Sequence, residues 1–258
     1  MSSSSQYTQE IVREVNEGAR ALPVEMITRL NKELEGSLCM VQNKKRQGTG
    51  ALVALPLTNS ETVNTFVTCN HVLGSNDRSE IHKMKLVFTA AKMKMVRILP
   101  EWYSRVWNSS EQYYDATIIE FNAIGTDALH HLGAKFLAVD KPLVGQRVVM
   151  FQYPKGELSL DGNIIESITV IDGINQIMYH IGADDGSSGS PILTYEGKVV
   201  GVHRRRIEPS VKPTNDPLGF ERHAIDINQM IDAFVEDRFR CQFLILNLLT
   251  YYSNVSSF

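Results

Sequence analysis

The most informative segment of the chain is Gly186-Ser187-Ser188-Gly189-Ser190-Pro191, and the apolar pair Ile192-Leu193 follows it. A serine next to glycines can lie on a tight turn whose backbone N–H groups point at an incoming carbonyl. Because a serine hydroxyl alone is a poor nucleophile, a site of this kind needs a base nearby in the fold. The segment therefore predicts a nucleophilic serine at position 188, with a histidine and an acid elsewhere in the chain.

Two upstream segments supply candidates for the base and the acid. His71 lies in Val67-Thr68-Cys69-Asn70-His71-Val72-Leu73, and Asp115 lies in Tyr114-Asp115-Ala116-Thr117-Ile118-Ile119. Each residue stands at one end of an apolar, strand-like run, where a β-barrel presents side chains to a cleft. Asp77 and Asp127 are rival acids, but both have the polar neighbours that are typical of loops. Cys69 is a rival nucleophile, although a cysteine in a strand is more often a buried, inert residue.

The order His71, Asp115, Ser188 and the residues around each of them resemble those of the chymotrypsin-fold, or trypsin-like, serine peptidases. The likeness extends over about residues 37–235 and includes the segment Gly48-Thr49-Gly50-Ala51-Leu52-Val53. It is nearer to the disulfide-poor, intracellular and bacterial-type members than to the secreted digestive enzymes. An α/β-hydrolase is disfavoured, because that fold needs Gly-x-Ser-x-Gly and places its histidine after the serine.

The resemblance implies a role for each of these residues. Ser188 would be the nucleophile, His71 its general base and then acid, and Asp115 the residue that orients the imidazole. The backbone N–H groups of Gly186 and Ser188 would form the oxyanion hole. Secreted relatives have an aspartate directly before the nucleophile, where it pairs with a newly cleaved N-terminus, and this chain has Ser187 there. We therefore expect that activity requires no N-terminal proteolysis.

Residues predicted to bind the substrate lie on both sides of Ser188 in the sequence. Trypsins bind basic side chains with an aspartate six residues before the nucleophile, where this chain has Gly182. Gly201-Val202-His203 resembles the strand with which glutamyl endopeptidases and viral 3C-like peptidases bind Glu or Gln at P1, the residue that precedes the scissile bond. Those relatives have Ser or Thr five residues before the nucleophile, where this chain has Ala183. The resemblance implies a P1 preference for an acidic or amide side chain.

Three consecutive arginines, Arg204, Arg205 and Arg206, follow that strand and are also predicted to bind substrate. They are expected on an edge that pairs with the substrate backbone. Two interpretations stay open: a solvated basic edge that resists aggregation, or attraction of acidic or phosphorylated substrates. The basic run Lys44-Lys45-Arg46 is interpreted as a hairpin loop rather than a nucleic-acid site.

The composition is typical of a globular protein and disfavours several classes. The 258 residues carry 26 basic and 29 acidic side chains, a net charge of −3, which gives little support to a disordered tail or a nucleic-acid binder. The three cysteines, Cys39, Cys69 and Cys241, fit neither a disulfide framework nor a zinc ribbon. No signal peptide or membrane span is recognisable. The predicted location is the cytoplasm or the nucleus, and no metal or organic cofactor is implied.

About a dozen short β-rich runs predict an all-β barrel or sandwich, and the resemblance implies two antiparallel six-stranded β-barrels. We expect the barrels at about 37–140 and 141–227, inside a peptidase domain of 37–235. Residues 1–36 are predicted to form a helical arm, and 228–258 a C-terminal helix with an apolar tail. These helical arms are candidate surfaces for a protein partner.

The predicted function is that of an intracellular serine endopeptidase, which hydrolyses peptide bonds of protein or peptide substrates through an acyl-enzyme. A role as an effector in signalling or defence would suit such an enzyme. The alternative is a non-catalytic binding or scaffold module that keeps the trypsin-like fold.

Overall fold

The computed structural model describes residues 22–43, 46–58, 60–73, 81–88, 95–110, 113–179, 181–207 and 221–255. Helix α1 (Val24–Glu33) precedes the strands, and Pro23 stands directly before it with φ of −58°. Proline suits this place, because its missing N–H is not needed in the first turn of a helix. Residues 1–21 of the predicted helical arm fall outside the described residues.

Within the described residues, fourteen strands form two antiparallel sheets of seven. The first sheet contains β1 (Leu38–Asn43), β2 (Arg46–Pro56), β3 (Thr62–Cys69), β4 (Lys85–Val87), β5 (Val96–Arg97), β6 (Tyr103–Asn108) and β7 (Ala116–Phe121). The second sheet contains β8 (Arg147–Gln152), β9 (Ser159–Ile164), β10 (Ser167–Ile171), β11 (Ile174–Tyr179), β12 (Pro191–Thr194), β13 (Val199–Ile207) and β14 (Glu221–Asp226). The strand orders are β5-β4-β1-β2-β3-β7-β6 and β10-β11-β14-β13-β12-β8-β9.

The double barrel that the sequence predicts is confirmed, but each sheet has seven strands rather than six. Strands β6 and β9 were not predicted. The residues of β9, Ser159-Leu160-Asp161-Gly162-Asn163-Ile164, include three types that disfavour strands, and pairing along β8 imposes the extended conformation. Two further short helices lie between strands, α2 (Asn70–Leu73) after β3 and α3 (Ala123–His131) after β7.

Strand β2 is apolar on both faces, because each face meets a different core. Ala51, Val53 and Leu55 pack into a core that both sheets share, whereas Leu52 packs with Phe66 inside the first barrel. The second barrel has its own core, which includes Val148, Ile177 and Tyr179. The shared core fixes the two sheets against each other, so residues at their seam keep a defined geometry.

Helix α4 (Ile227–Val255) follows β14 and returns to the first sheet. Asp226, which directly precedes this helix, accepts a hydrogen bond at Oδ1 from the N–H of Asn228, at 2.9 Å. Met230, Ile231 and Phe234 are buried in the shared core. Among the described residues, no helix is long and apolar enough to cross a membrane.

Candidate active site

His71 and Asp115 meet at the end of the first sheet through two hydrogen bonds. His71 lies in the single turn α2 directly after β3, and Asp115 directly precedes β7, the neighbour of β3. The imidazole Nδ1 of His71 is 2.6 Å from Asp115 Oδ2, and the backbone N–H of His71 donates to Asp115 Oδ1 at 3.0 Å. The carboxylate is buried, whereas the imidazole is partly exposed. A buried carboxylate held in this way orients the ring and can stabilise it when it is protonated.

Asp115 has φ of +47°, in the left-handed region. Aspartate enters this region more readily than most residues, and a non-glycine residue there is uncommon enough to mark a special position. The N–H of Asp115 donates to the carbonyl of Ser110, and its carbonyl accepts from the N–H of Asn70, so the conformation is held on both sides. The turn thereby directs the carboxylate at His71.

Ser188 lies on a turn of the second sheet whose backbone needs two glycines. Gly186 has φ of +102° and Gly189 has φ of +86°. A Cβ atom on Gly186 would lie 2.4 Å from the carbonyl oxygen of Tyr153, and one on Gly189 would lie 2.2 Å from that of Thr49. Any side chain at either position would collide with backbone, so the tight turn predicted from the sequence depends on both residues.

The first sheet holds this turn through Thr49, a residue to which the sequence assigned no role. The N–H of Thr49 donates to the carbonyl of Ser188 at 2.8 Å, and its hydroxyl donates to the carbonyl of Gly186 at 2.8 Å. The same hydroxyl accepts from the N–H of Tyr153 at 3.1 Å. Thr49 is fully buried, so these bonds are shielded from water.

Ser187 also stabilises the turn from inside. Its hydroxyl accepts from the N–H of Asp184 at 3.1 Å, and its own N–H donates to the carbonyl of Asp184 at 3.0 Å. Ser187 is buried. Within the described part of the chain, no atom accepts a hydrogen bond from the N–H of Gly186 or Ser188. The backbone therefore presents two donors that a carbonyl oxygen could reach.

A cavity of about 750 Å³ brings the predicted residues of both sheets together. It is lined by Arg46, Gln47, His71, Val72, Lys155, Ala183, Asp184, Asp185, Gly186, Ser188 and His203. Two carboxylates, those of Asp184 and Asp185, and two cationic side chains, those of Arg46 and Lys155, therefore line the cavity. Lys155 Nζ is 3.3 Å from Asp184 Oδ2. Gly182 lies beside this cavity, where its N–H donates to Asp161 Oδ2 and its carbonyl accepts from the amide of Gln152.

His203 is buried at the wall of the cavity and contacts a tyrosine. The hydroxyl oxygen of Tyr179 is 2.6 Å from His203 Nδ1. A hydroxyl that donates to Nδ1 places the proton of a neutral imidazole on Nε2, which is then a donor toward oxygen atoms. The pairing of β11 and β13 with β14 brings the two residues together, which sequence spacing alone does not reveal.

Arg204 lies next to Asp115. Its guanidinium Nε is 3.8 Å from Asp115 Oδ2, and the side chain is buried rather than part of the cavity lining. The register of β13 with β14 shifts between His203 and Arg205, so the regular alternation of side chains is interrupted at Arg204. Arg204 thus lies beside the Asp115 carboxylate, and its role in substrate binding stays a prediction. The side chains of Arg205 and Arg206 lie outside the described residues.

The structure places two of the three rival residues that the sequence raised. Asp127 is exposed on α3, and Asp77 falls outside the described residues. Cys69 is buried, and its sulfur is 3.2 Å from the carbonyl oxygen of His203. Burial also raises the pKa of the Cys39 thiol far above its ordinary value. The side-chain ligand atoms of Cys69, His71 and Asp115 lie within 4.8 Å of one another, but the histidine and aspartate already bond each other.

Comparisons with known proteins give one family and a set of similar structures. The family model described as a trypsin-like peptidase domain matches residues 48–202. Similar solved structures include an inactive form of Rv3671c from M. tuberculosis H37Rv with a serine-to-alanine change (16% identity, TM-score 0.55, covering 83% of this chain and 93% of that one). Two others are the serine endoprotease from Yersinia pestis (14% identity, TM-score 0.58, covering 84% and 67%) and Deg5 (16%, 0.55, covering 82% and 94%). At these identities the likeness shows the fold. No curated protein matched the sequence.

Proposed function

Since the chain belongs to the trypsin-like peptidase family, we propose that it is a serine endopeptidase whose catalytic residues are Ser188, His71 and Asp115. The observation that carries the proposal is the 2.6 Å contact of His71 with the buried Asp115, beside a cavity that Ser188 also lines. An endopeptidase is favoured because residues of both sheets line the cavity together with Ser188. Ala183 and His203 belong to the second sheet and its loops and Arg46 and Gln47 to β2 of the first, so we expect substrate residues to bind on both sides of the scissile bond.

The geometry supports acyl transfer in two steps. Ser188 Oγ attacks the substrate carbonyl carbon, and its proton moves to His71 Nε2. The negative oxygen of the tetrahedral intermediate accepts hydrogen bonds from the N–H groups of Gly186 and Ser188. When the C–N bond breaks, the leaving amine takes the proton from His71. A water molecule then gives a proton to His71, attacks the acyl-enzyme and releases the acid, and Ser188 recovers its proton.

Asp115 and Arg204 would support this cycle without touching the substrate. The carboxylate accepts from Nδ1–H of His71 and stabilises the imidazolium that forms after the proton transfer. Arg204 places a positive charge 3.8 Å from the same buried carboxylate. A carboxylate taken out of water needs such partners, because leaving it without them is costly.

We also propose a P1 preference for glutamine or glutamate. The support is His203, which lines the cavity with its ring fixed by the hydroxyl of Tyr179. An imidazole that donates from Nε2 suits the side-chain oxygen of either residue. Asp184 and Asp185 also line the cavity, so a neutral glutamine is expected to bind at least as well as glutamate. An effector role in signalling or defence stays a prediction.

Matched peptides that differ only at P1 test this proposal. Wild-type protein is expected to hydrolyse peptides with Gln or Glu at P1 at least about tenfold faster, as kcat/KM, than those with Arg or Phe. Tyr179→Phe removes the hydroxyl that fixes His203 and should reduce this preference. Tyr195→Phe, a matched change on the turn between β12 and β13, should not. A profile dominated by Arg, Lys or large aromatics would contradict the P1 proposal.

A further inference from the structure

A second cavity, of about 680 Å³, lies at one end of the first sheet. It is lined by Gln42, Asn43, Arg46, Gln47, His82, Lys83, Lys85 and Arg97. Four of these side chains carry a positive charge at neutral pH, the histidine can gain one, and none carries a negative charge. Such a lining attracts carboxylate or phosphate groups.

The polar lining is ordered by the sheet. Arg97 pairs with Lys85, Lys85 with Gln42, and Gln42 with Gln47, so these four residues form one row across β5, β4, β1 and β2. Directly paired residues of antiparallel strands share a face. The neighbouring row of Val41, Leu86 and Val96 is buried inside the first barrel, so the polar row faces outward. With strands about 4.8 Å apart, the row is roughly 14 Å long.

The row ends at the candidate active site. Arg46 and Gln47 line both cavities. The guanidinium of Arg46 donates to the carbonyl of His71, and the side-chain amide of Asn43 donates to the carbonyl of Leu73 at 2.9 Å. The β1–β2 hairpin thus holds the turn that carries His71. A molecule in the basic cavity is therefore next to the position of a scissile bond.

The positive charges of the row are not neutralised within the described residues. No described acid forms an ion pair with Arg46, Lys85 or Arg97. His82 stacks on Tyr103 with ring centroids 5.9 Å apart, which fixes one wall of the cavity. Cations held close together without acids repel one another, and an anion bound among them relieves that repulsion.

We propose that this cavity binds acidic side chains of the substrate on the leaving-group side of the scissile bond. The inference rests on the proposed function. With P1 beside His203 as proposed above, a peptide that crosses Ser188 toward the first sheet reaches Arg46 and Gln47 with the residues after the bond. An extended chain advances about 3.4 Å per residue, so a row of roughly 14 Å accommodates about four residues, P2′ to P5′. The substrates are therefore proteins with an acidic segment after the cleaved bond.

Binding to Ser188→Ala protein tests the inference without hydrolysis. Two fluorescent peptides share Gln at P1 and carry either Asp and Glu or Asn and Gln at P2′ to P5′. The acidic peptide is expected to bind about fivefold tighter or more, the effect of two partly exposed ion pairs. When Lys85→Gln and Arg97→Gln are added, the ratio of the two dissociation constants, neutral peptide over acidic peptide, should fall to about one. The matched pair Lys141→Gln and Arg147→Gln, which removes two exposed charges elsewhere, should leave the ratio unchanged.

Hydrolysis by otherwise wild-type protein gives the second readout. The same ratio should appear in kcat/KM and should fall with Lys85→Gln and Arg97→Gln. If peptides are cleaved without regard to acidic residues, the inference is overturned and the proposed function stands. If nothing is cleaved but the acidic peptide binds through Lys85 and Arg97, the proposed function fails and the anion site stands. Tighter binding that survives removal of both charges also overturns the inference.

Discussion

A single hydroxyl, that of Thr49, joins the first sheet to the turn that carries Ser188. It donates to the carbonyl of Gly186 and accepts from the N–H of Tyr153. Both partners are backbone groups of the second sheet and its loops, so the hydroxyl sets where the turn lies relative to His71. Positioning of this kind affects rate more than substrate binding, because small displacements of reacting groups raise the barrier steeply.

Thr49→Val keeps the shape of the side chain and removes both hydrogen bonds. We expect kcat to fall at least about tenfold with a smaller change in KM, and the free energy of unfolding to fall by about 1–3 kcal/mol, because the backbone groups of Gly186 and Tyr153 lose this hydrogen-bond partner. Thr49→Ser keeps the hydroxyl and should retain most of the activity. Steady-state kinetics and denaturant unfolding check both. A Thr49→Val variant with the kcat of wild type would contradict the proposal that the Thr49 hydroxyl positions the turn that carries Ser188.

The sequence could predict the residues that carry the proposed chemistry, because each lies in a short local motif. Thr49 could not be found in this way, since it is 137 residues from Gly186 in the chain. The sequence shows that Ser187 stands where secreted relatives have an aspartate. It does not show that Ser187 forms two hydrogen bonds with Asp184, because these depend on the fold of the turn. The contact of Arg204 with Asp115 cannot be predicted from the sequence either, because it depends on the register shift of β13 between His203 and Arg205.

Among the elements, α4 contributes to the stability of the first sheet. Phe234 of α4 is fully buried, and its ring packs edge-on against Trp107 of β6 at 6.4 Å between centroids. Arg238 Nη1 of the same helix is 3.0 Å from Glu120 Oε1 on β7. The apolar spacing of Met230, Ile231, Phe234 and Val235 predicts the helix, but not the strands against which it packs.

Phe234→Ala tests this packing. The loss of a buried ring is expected to lower the free energy of unfolding by about 3–5 kcal/mol. Phe239→Ala on the same helix is the control, because Phe239 is 54% exposed and its removal should change stability by less than about 0.5 kcal/mol. Chemical denaturation of both variants measures the difference. Equal effects would show that the helix does not pack as described.

The segment between the sheets is fixed by a charged contact. Asp140 Oδ2 is 3.0 Å from Lys198 Nζ, and the N–H of Asp140 donates to the carbonyl of Val199 at 2.8 Å. The hydrogen bond from Lys198, together with one from the N–H of Lys141, lowers the pKa of Asp140 below its ordinary 3.8. Because the folded value is the lower one, the ionised carboxylate stabilises the fold above pH 3.8, and this contribution is lost as the pH falls through the lowered value.

Asp140→Asn should therefore lower stability at neutral pH and not in strong acid. The pair is partly exposed and screened by solvent, so the difference at neutral pH is expected to be no more than about 1 kcal/mol. Thermal unfolding of both proteins across the acidic range measures it. If the stability difference between wild type and Asp140→Asn grew as the pH fell, the ionised Asp140 would not be the stabilising form and the prediction would be contradicted.

At the scale of the whole molecule, both flanking helices belong to the core that joins the two sheets. Leu30 of α1 and Phe234 of α4 are fully buried in it, together with Val53 of the first sheet and Val149 of the second. The short β-rich runs could predict an all-β barrel or sandwich, and the resemblance of the motifs around His71, Asp115 and Ser188 was needed to predict two barrels. They could not predict seven strands in each sheet, because β6 and β9 take their conformation from the strands beside them.

The proposed catalytic residues come together at the seam between the two sheets. His71 and Asp115 come from the first sheet, Ser188 from the second, and Thr49 links the two. The turn of Ser188 is held by Ser187 and Thr49 rather than by an ion pair with a cleaved N-terminus. We therefore expect the 258-residue chain to be active without prior proteolysis.

Covalent labelling of this chain by a fluorophosphonate probe tests the central claim most directly. Wild-type protein is expected to be labelled at Ser188, Ser188→Ala not at all, and His71→Ala far more slowly, because the base is lost. Ser190→Ala is the matched control, since its hydroxyl is buried and has no hydrogen-bond partner among the described residues. The Ser190→Ala variant is expected to be labelled as fast as wild-type protein. Labelling that survives Ser188→Ala, or wild-type protein that is not labelled at all, would contradict the assignment.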